Sequence, residues 1–252
     1  MAISLSSLQR TIKKPPRIII HGEAKVGKTT FACSAPNPVV IQTEDGLGQI
    51  DVDSFPLATC YEDVIDALSA LYAEEHEFKT LVFDSLDWFE TLVWEKACRE
   101  NNVSSIEDIK GGWGKGYIEA AYYWRLFFDG VTALRDHKGM TVIMTAHSEI
   151  KRMEDPSLPA YDCRGLKLHK RAAAIAEEYA DCILYASIQT NTITEDAGFN
   201  KKRVRATSTG NRILHTIGQP AFLAGNRYSL PSPLPLSWES FTSAMENQRI
   251  EA

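Results

Sequence analysis

The stretch Arg17-Ile18-Ile19-Ile20-His21-Gly22-Glu23-Ala24-Lys25-Val26-Gly27-Lys28-Thr29-Thr30 decides the fold. Its first half is a compact β-branched run, which reads as a buried strand. Its second half fits G-x-x-x-x-G-K-[ST] without a mismatch, and a short helix is expected from Lys28 to about Ser34. Each residue type has a physical reason. The glycines let the backbone curl so that successive N–H groups point inward at a β-phosphate. The helix opening at Lys28 adds its positive end. The Lys28 ammonium is expected to reach the β- and γ-phosphates and the Thr29 hydroxyl to ligate Mg²⁺. Gly22, Glu23, Ala24, Lys25, Val26, Gly27, Lys28, Thr29 and Thr30 therefore form the expected contact set for ATP. A fortuitous Gly-rich turn would not need a buried strand before it and a helix after it.

Outward from this motif the chain alternates. Further strands are expected at VVIQ (39–42), TLVFD (80–84), MTVIMTA (140–146) and CILYAS (182–187), and helices over 61–74, 86–100, 117–136 and near 168–179. Apolar strands alternating with helices predict an α/β fold, with a mostly parallel central sheet, helices on both faces and extended C-terminal segments. The expected organisation is an arm (1–16), one core (17–230) and a Pro-rich tail (231–252) running irregularly over the surface. A second glycine cluster, Gly111-Gly112-Trp113-Gly114-Lys115-Gly116, contains Gly-Lys but lacks a preceding strand. It reads as a turn between helices, with Trp113 and Tyr117 as residues that could stack on a base.

The chain has 252 residues and 44% hydrophobic content, enough for a full core without metal or disulfide staples. The five cysteines are widely spaced and never C-x-x-C, which argues for free thiols in a reducing cytosol. No apolar run is long enough to span a membrane and the N-terminus has no signal-type apolar stretch, so a cytoplasmic protein is expected.

Hydrolysis needs carboxylates beside the phosphates. Asp84, closing its strand, is expected to hold Mg²⁺ together with Thr29. A base to polarise the attacking water is not found after Asp84, where Ser85 stands, but Glu44 or its neighbour Asp45 ends the preceding strand. Parallel strands deliver their C-terminal ends to one edge of the sheet, so Glu44 and Asp84 can share a site. His147, after the fourth strand, is either a γ-phosphate sensor or an ordinary strand-end histidine.

These motifs resemble the RecA-like P-loop NTPase core. That core shares the phosphate loop, a glutamate ending the next strand, a strand ending Asp84-Ser85, and a polar residue after the fourth strand that leads into DNA-binding loops. The stretch RILHTIGQPAFLAGNRYSLPSPLPLSW (212–238) is similar to the ending of phage single-strand annealing proteins of the Sak type. The resemblance implies ATP-dependent assembly on single-stranded DNA, annealing or strand exchange, a homo-oligomer (ring or filament), and work alongside a single-strand-binding protein in a bacterial host cytoplasm. The chain departs from bacterial RecA in having no counterpart of its polymerisation helix or C-terminal domain, which leaves ring, filament and DNA-triggered assembly open.

Charge is unevenly spread. The net charge is −6, yet residues 148–215 carry 11 Lys+Arg against 9 acids, leaving the rest of the chain at −8. A basic segment in an acidic protein is the footprint of a backbone-binding groove, or else a solvated face. The candidate DNA-binding loop is 148–167, and the candidate contacts are Lys151, Arg152, Tyr161, Arg164, Lys167, Lys170 and Arg171. By the resemblance, Lys201, Lys202, Arg203 and Arg205 are candidates to complete a neighbouring protomer's site in trans.

Overall fold

The computed structural model describes residues 4, 7, 8, 10, 12–196 and 202–250, with the side chains of 191–196, 202–208 and 248–250 excepted. The run Arg17–Gly22 forms β1, buried along its whole length. Around it stand β2 (Pro38–Gln42), β3 (Asp53–Ser54), β4 (Thr80–Asp84), β5 (Thr141–Met153), β6 (Tyr161–Leu166), β7 (Cys182–Asp196), β8 (Lys202–His215), β9 (Gly225–Asn226) and β10 (Leu234–Pro235). The strand order is β10-β8-β7-β1-β5-β4-β2-β3, with β6 on β5 and β9 on β7. From β7 across to β3 the pairs are parallel, and the added strands are antiparallel. The phosphate-loop strand thus lies mid-sheet, flanked by β5 and β7.

Among the described residues six α-helices cover the sheet: α1 (Lys28–Cys33), α2 (Tyr61–Ala73), α3 (Leu86–Glu100), α4 (Lys115–Lys138), α5 (Lys170–Tyr179) and α6 (Trp238–Ile250). Side chains alternate across each strand. Ile19, Val39, Ile41, Leu81, Phe83, Val142 and Met144 therefore face α2–α5. Ile18, Ile20, Val40, Val82 and Ile143 face α1 and α6. On the larger face Phe83, Phe89 and Phe127 meet at ring separations of 4.7–5.3 Å. Each such ring contributes on the order of 2–3 kcal/mol by leaving water. Under the N-terminal edge of the sheet Asp181 accepts from the side chains of Arg17, Arg135 and Arg227, and both Arg17 and Asp181 are 8% exposed.

The α/β architecture expected from the sequence is present, with two differences. The segment 148–167 is a hairpin rather than a loop: β5 runs past its buried half to Met153 and pairs with β6 from Ser148↔Leu166 to Met153↔Tyr161. Its outer half is uncovered, so its backbone groups are satisfied by the ladder without the apolar alternation that would betray a strand. The tail expected to run irregularly ends in α6. Ser237 Oγ accepts from the Ser240 amide (3.1 Å), and Phe241, Ala244 and Met245 bury one face at helical spacing. Trp113, in the glycine turn before α4, is 94% exposed, whereas Tyr117 stacks on His169. No helix among the described residues is long and apolar enough to cross a membrane.

Candidate functional site

β1 ends at Gly22 and α1 begins at Lys28, so residues 23–27 must turn within a few ångströms of the sheet edge. Two glycines make this turn possible. A Cβ on Gly22 would lie 2.4 Å from the Ala186 carbonyl oxygen of β7. Gly27 adopts φ +109°, a conformation costly to any side chain. Lys28 is 7% exposed and its Nζ donates back to the carbonyls of Gly22 (3.2 Å) and Glu23 (3.0 Å). Burial pushes the Lys28 ammonium below its usual range, against the opposing pull of Asp84, Asp87 and Glu44. Those three carboxylates surround the ammonium from β4, α3 and the end of β2.

Asp84 is the centre of this group. Thr29 Oγ1 donates to its Oδ2 (2.9 Å), and Thr145 Oγ1, from the neighbouring β5, donates to its Oδ1. Thr29 and Asp84, paired from the sequence, are therefore in contact. Glu44 lies next to them: its amide donates to the Asp84 carbonyl (3.4 Å), and Ser85 Oγ donates to its carboxylate (3.4 Å). Asp45 is exposed instead. Thr43 fixes this corner, because its hydroxyl donates to the Ser85 carbonyl and accepts from the Ser85 amide.

His147 follows two residues after Thr145 on the same face of β5, and it is held by Asp87. Its amide donates to Asp87 Oδ1 and its ring Nδ1 to Oδ2, each at 2.9 Å. Burial pushes the Asp87 carboxyl up, but the His147 ring, amide and charge with the Ser85 hydroxyl outweigh it and hold Asp87 below the usual carboxylate range. Neither Thr145 nor Asp87 was given a role from the sequence. Their signal was a polar residue inside the fourth strand and an acid three places after Asp84, and neither is distinctive without the fold.

Four of the basic candidates already have acidic or carbonyl partners. Lys151 donates to the Leu168 carbonyl (3.0 Å) and pairs with Glu149, Arg152 pairs with Asp162 across the hairpin, and Arg164 pairs with Glu23 of the phosphate loop (3.3 Å). Lys167 stands 4.0 Å from Asp87. Tyr161 is half-buried at the start of β6. Lys170 and Arg171 are exposed in the first turn of α5, where cations meet the unfavourable end of the helix dipole. Lys201 lies outside the described residues. Lys202, Arg203 and Arg205 are on the β8 backbone, opposite Asp196, Glu195 and Ile193, and their side chains lie outside the description.

A glycine-hinged loop with a buried lysine, a hydroxyl–aspartate pair beside it and a parallel sheet ordered around it describe a phosphate site. A family model described as an AAA domain, AAA_24, matches residues 14–228. The chain belongs to this AAA domain family. No curated protein matches it. The AAA domain is a nucleotide-dependent, P-loop ATPase fold, which fits the sheet and the cradle alike. In this AAA domain Ser85 takes the place after Asp84, and the nearby acid comes from Glu44. Mg²⁺ fits the donor set, since the Thr29 hydroxyl and the Asp84 carboxylate are hard oxygens 2.9 Å apart. Mg²⁺ is commonly held by one or two protein oxygens plus phosphates. Accordingly, no group of three or more His, Cys, Asp or Glu among the described residues could cage a metal alone.

Proposed function

We propose that this AAA domain is a Mg²⁺-dependent ATPase of the RecA-like recombinase class, stimulated by single-stranded DNA and promoting strand annealing in a phage. It works as a homo-oligomer in the host cytoplasm, alongside a single-strand-binding protein. One observation carries the reading. β5 is a single strand that places Thr145 and His147 against the carboxylates of the cradle and then runs on into the hairpin that carries Lys151 and Arg152. A change at the γ-phosphate end is thereby tied to the outer end by one rigid element.

In this reading Lys28 and the loop amides bind the phosphates, and Thr29 and Asp84 orient the ion, whose charge offsets that of the phosphates. Glu44 takes the proton of the attacking water, and Thr145 aims Asp84. His147 reports the γ-phosphate through Asp87. Lys167, Lys170 and Arg171 meet the nucleic-acid backbone. The hairpin's internal ion pairs favour a second reading, a nucleotide-gated ATPase that regulates a protein partner, because paired cations attract phosphate weakly.

ATP turnover measured with and without single-stranded DNA, at low and moderate salt, separates the two. DNA stimulation that weakens as salt rises supports the recombinase reading. Turnover indifferent to DNA, with no DNA binding in ATP, replaces it with the regulatory one.

A further inference from the structure

The cradle accounts for the phosphates of a nucleotide but not for its nucleoside. Asp84 lies on β4, two strands from β1 on one side, and Arg212 lies on β8, two strands away on the other. With the γ-phosphate toward Asp84, the α-phosphate, ribose and base must leave on the β8 side, past the first turn of α1. A cleft of about 600 Å³ opens there, lined by Gly27, Thr30, Phe31, Arg212, Leu236 and Trp238 and continuing to Ser34 and Thr242. Its volume is within the range of small-ligand sites, about 300–1,000 Å³.

Its walls suit an aromatic base. The indole of Trp238 packs edge-on against Phe31 (5.7 Å) and beside Phe241 (5.5 Å), which holds the ring in place, while Trp238 stays only half-buried and open to the cleft. Arg212 is exposed and makes no ion pair among the described residues, and its Nη1 stands 2.9 Å from where a Cβ on Gly27 would be. The carboxylate of Glu239, also on the cleft, can accept from the exocyclic amine of a base edge. A cavity of about 370 Å³ beside Arg164 and Tyr185 touches the loop only at Glu23, Ala24 and Val26 and no residue of α1. A nucleoside leaving along α1 does not enter it.

We infer that the cleft between α1 and the segment Leu236–Thr242 holds the purine nucleoside of the nucleotide, with Trp238 against the base and Arg212 beside the ribose and α-phosphate. The C-terminal segment is then part of the nucleotide site. The inference rests on the nucleotide reading above.

Calorimetric titration of the full chain with Mg-ATP and with Mg-tripolyphosphate tests it. Ser34→Trp fills the far end of the cleft from an exposed position about 9 Å along the helix from Lys28, so it leaves the core and the cradle intact. It is expected to weaken ATP at least ten-fold and leave tripolyphosphate unchanged. Trp238→Ala is expected to do the same, and Lys28→Ala to weaken both ligands. ATP affinity unchanged in Ser34→Trp, or tripolyphosphate affinity falling in step with ATP, overturns the inference while the nucleotide reading stands. A wild-type chain that binds neither ligand overturns both.

Discussion

Thr145→Val tests the arrangement around Asp84 most sharply. Thr145 is fully buried, and its hydroxyl is one of two that donate to the carboxylate of Asp84, which is itself buried. Valine keeps the shape and removes the donor. A hydrogen bond to a charged group is worth about 1.5–3 kcal/mol. For a chain of this size each kcal/mol moves Tm by about 2–4 °C, so the variant should melt roughly 3–12 °C lower. The second consequence concerns the ion. Asp84 retains only Thr29 to fix its orientation, and losing a group that orients a metal ligand costs about 10–100-fold in affinity. The half-saturating Mg²⁺ concentration for ATP turnover should rise by about that factor, and Thr145→Ser, which keeps the hydroxyl, should restore much of it. Unchanged Mg²⁺ dependence in Thr145→Val, or equal impairment in Thr145→Ser, would refute the claim that Thr145 aims Asp84 at the ion.

Two buried groups away from the phosphates give further tests. Glu90 receives the His169 amide on both oxygens, and burial raises its carboxyl to about 7, with the His169 hydrogen bond opposing. A raised carboxyl contributes stability that is present below about pH 4.5 and lost as pH rises through 7. Glu90→Gln should therefore gain stability relative to wild type between pH 5 and 8, by at most about 3 kcal/mol, and denaturant melts across that range would show it. His21 works in the opposite direction: burial lowers it to about 4, so its contribution is lost as pH falls from about 6.5 toward 4. Asp181→Ala leaves three guanidinium groups facing one another at the edge of the sheet and should cost about 3–5 kcal/mol in thermal or chemical unfolding.

What could be read in advance, and what could not, follows from where the determinants sit. The strand–loop–lysine unit is encoded within fourteen consecutive residues, and most constraints on it are legible there: a β-branched run, a positive φ at Gly27, a helix start; only the close approach of the Ala186 carbonyl to Gly22 comes from elsewhere. Glu44 and Asp84 could be placed side by side in advance because parallel strands must end at one edge. Thr145 was passed over for His147 because both are polar at the same strand end, and only the β4–β5 contact shows which one reaches Asp84. The segment 148–167 was read as a loop because its ladder is open to water and its side chains carry no period of two. α6 was hidden because the prolines before it dominate the local pattern, whereas its buried stripe has meaning only once α1 and the sheet are there to cover it. The basic cluster at 201–205 was singled out by charge and by its place in the resemblance, neither of which says what direction its side chains take.

The central claim is that Lys28 binds the phosphates and Glu44 activates water at one Mg²⁺-dependent site. Side-by-side measurement of ATP binding and turnover in wild type, Lys28→Ala and Glu44→Gln tests it most directly. Lys28→Ala should neither bind tightly nor hydrolyse, and Glu44→Gln should bind ATP as wild type does while turnover stops. Normal turnover in Lys28→Ala, or wild-type hydrolysis in Glu44→Gln, would contradict it.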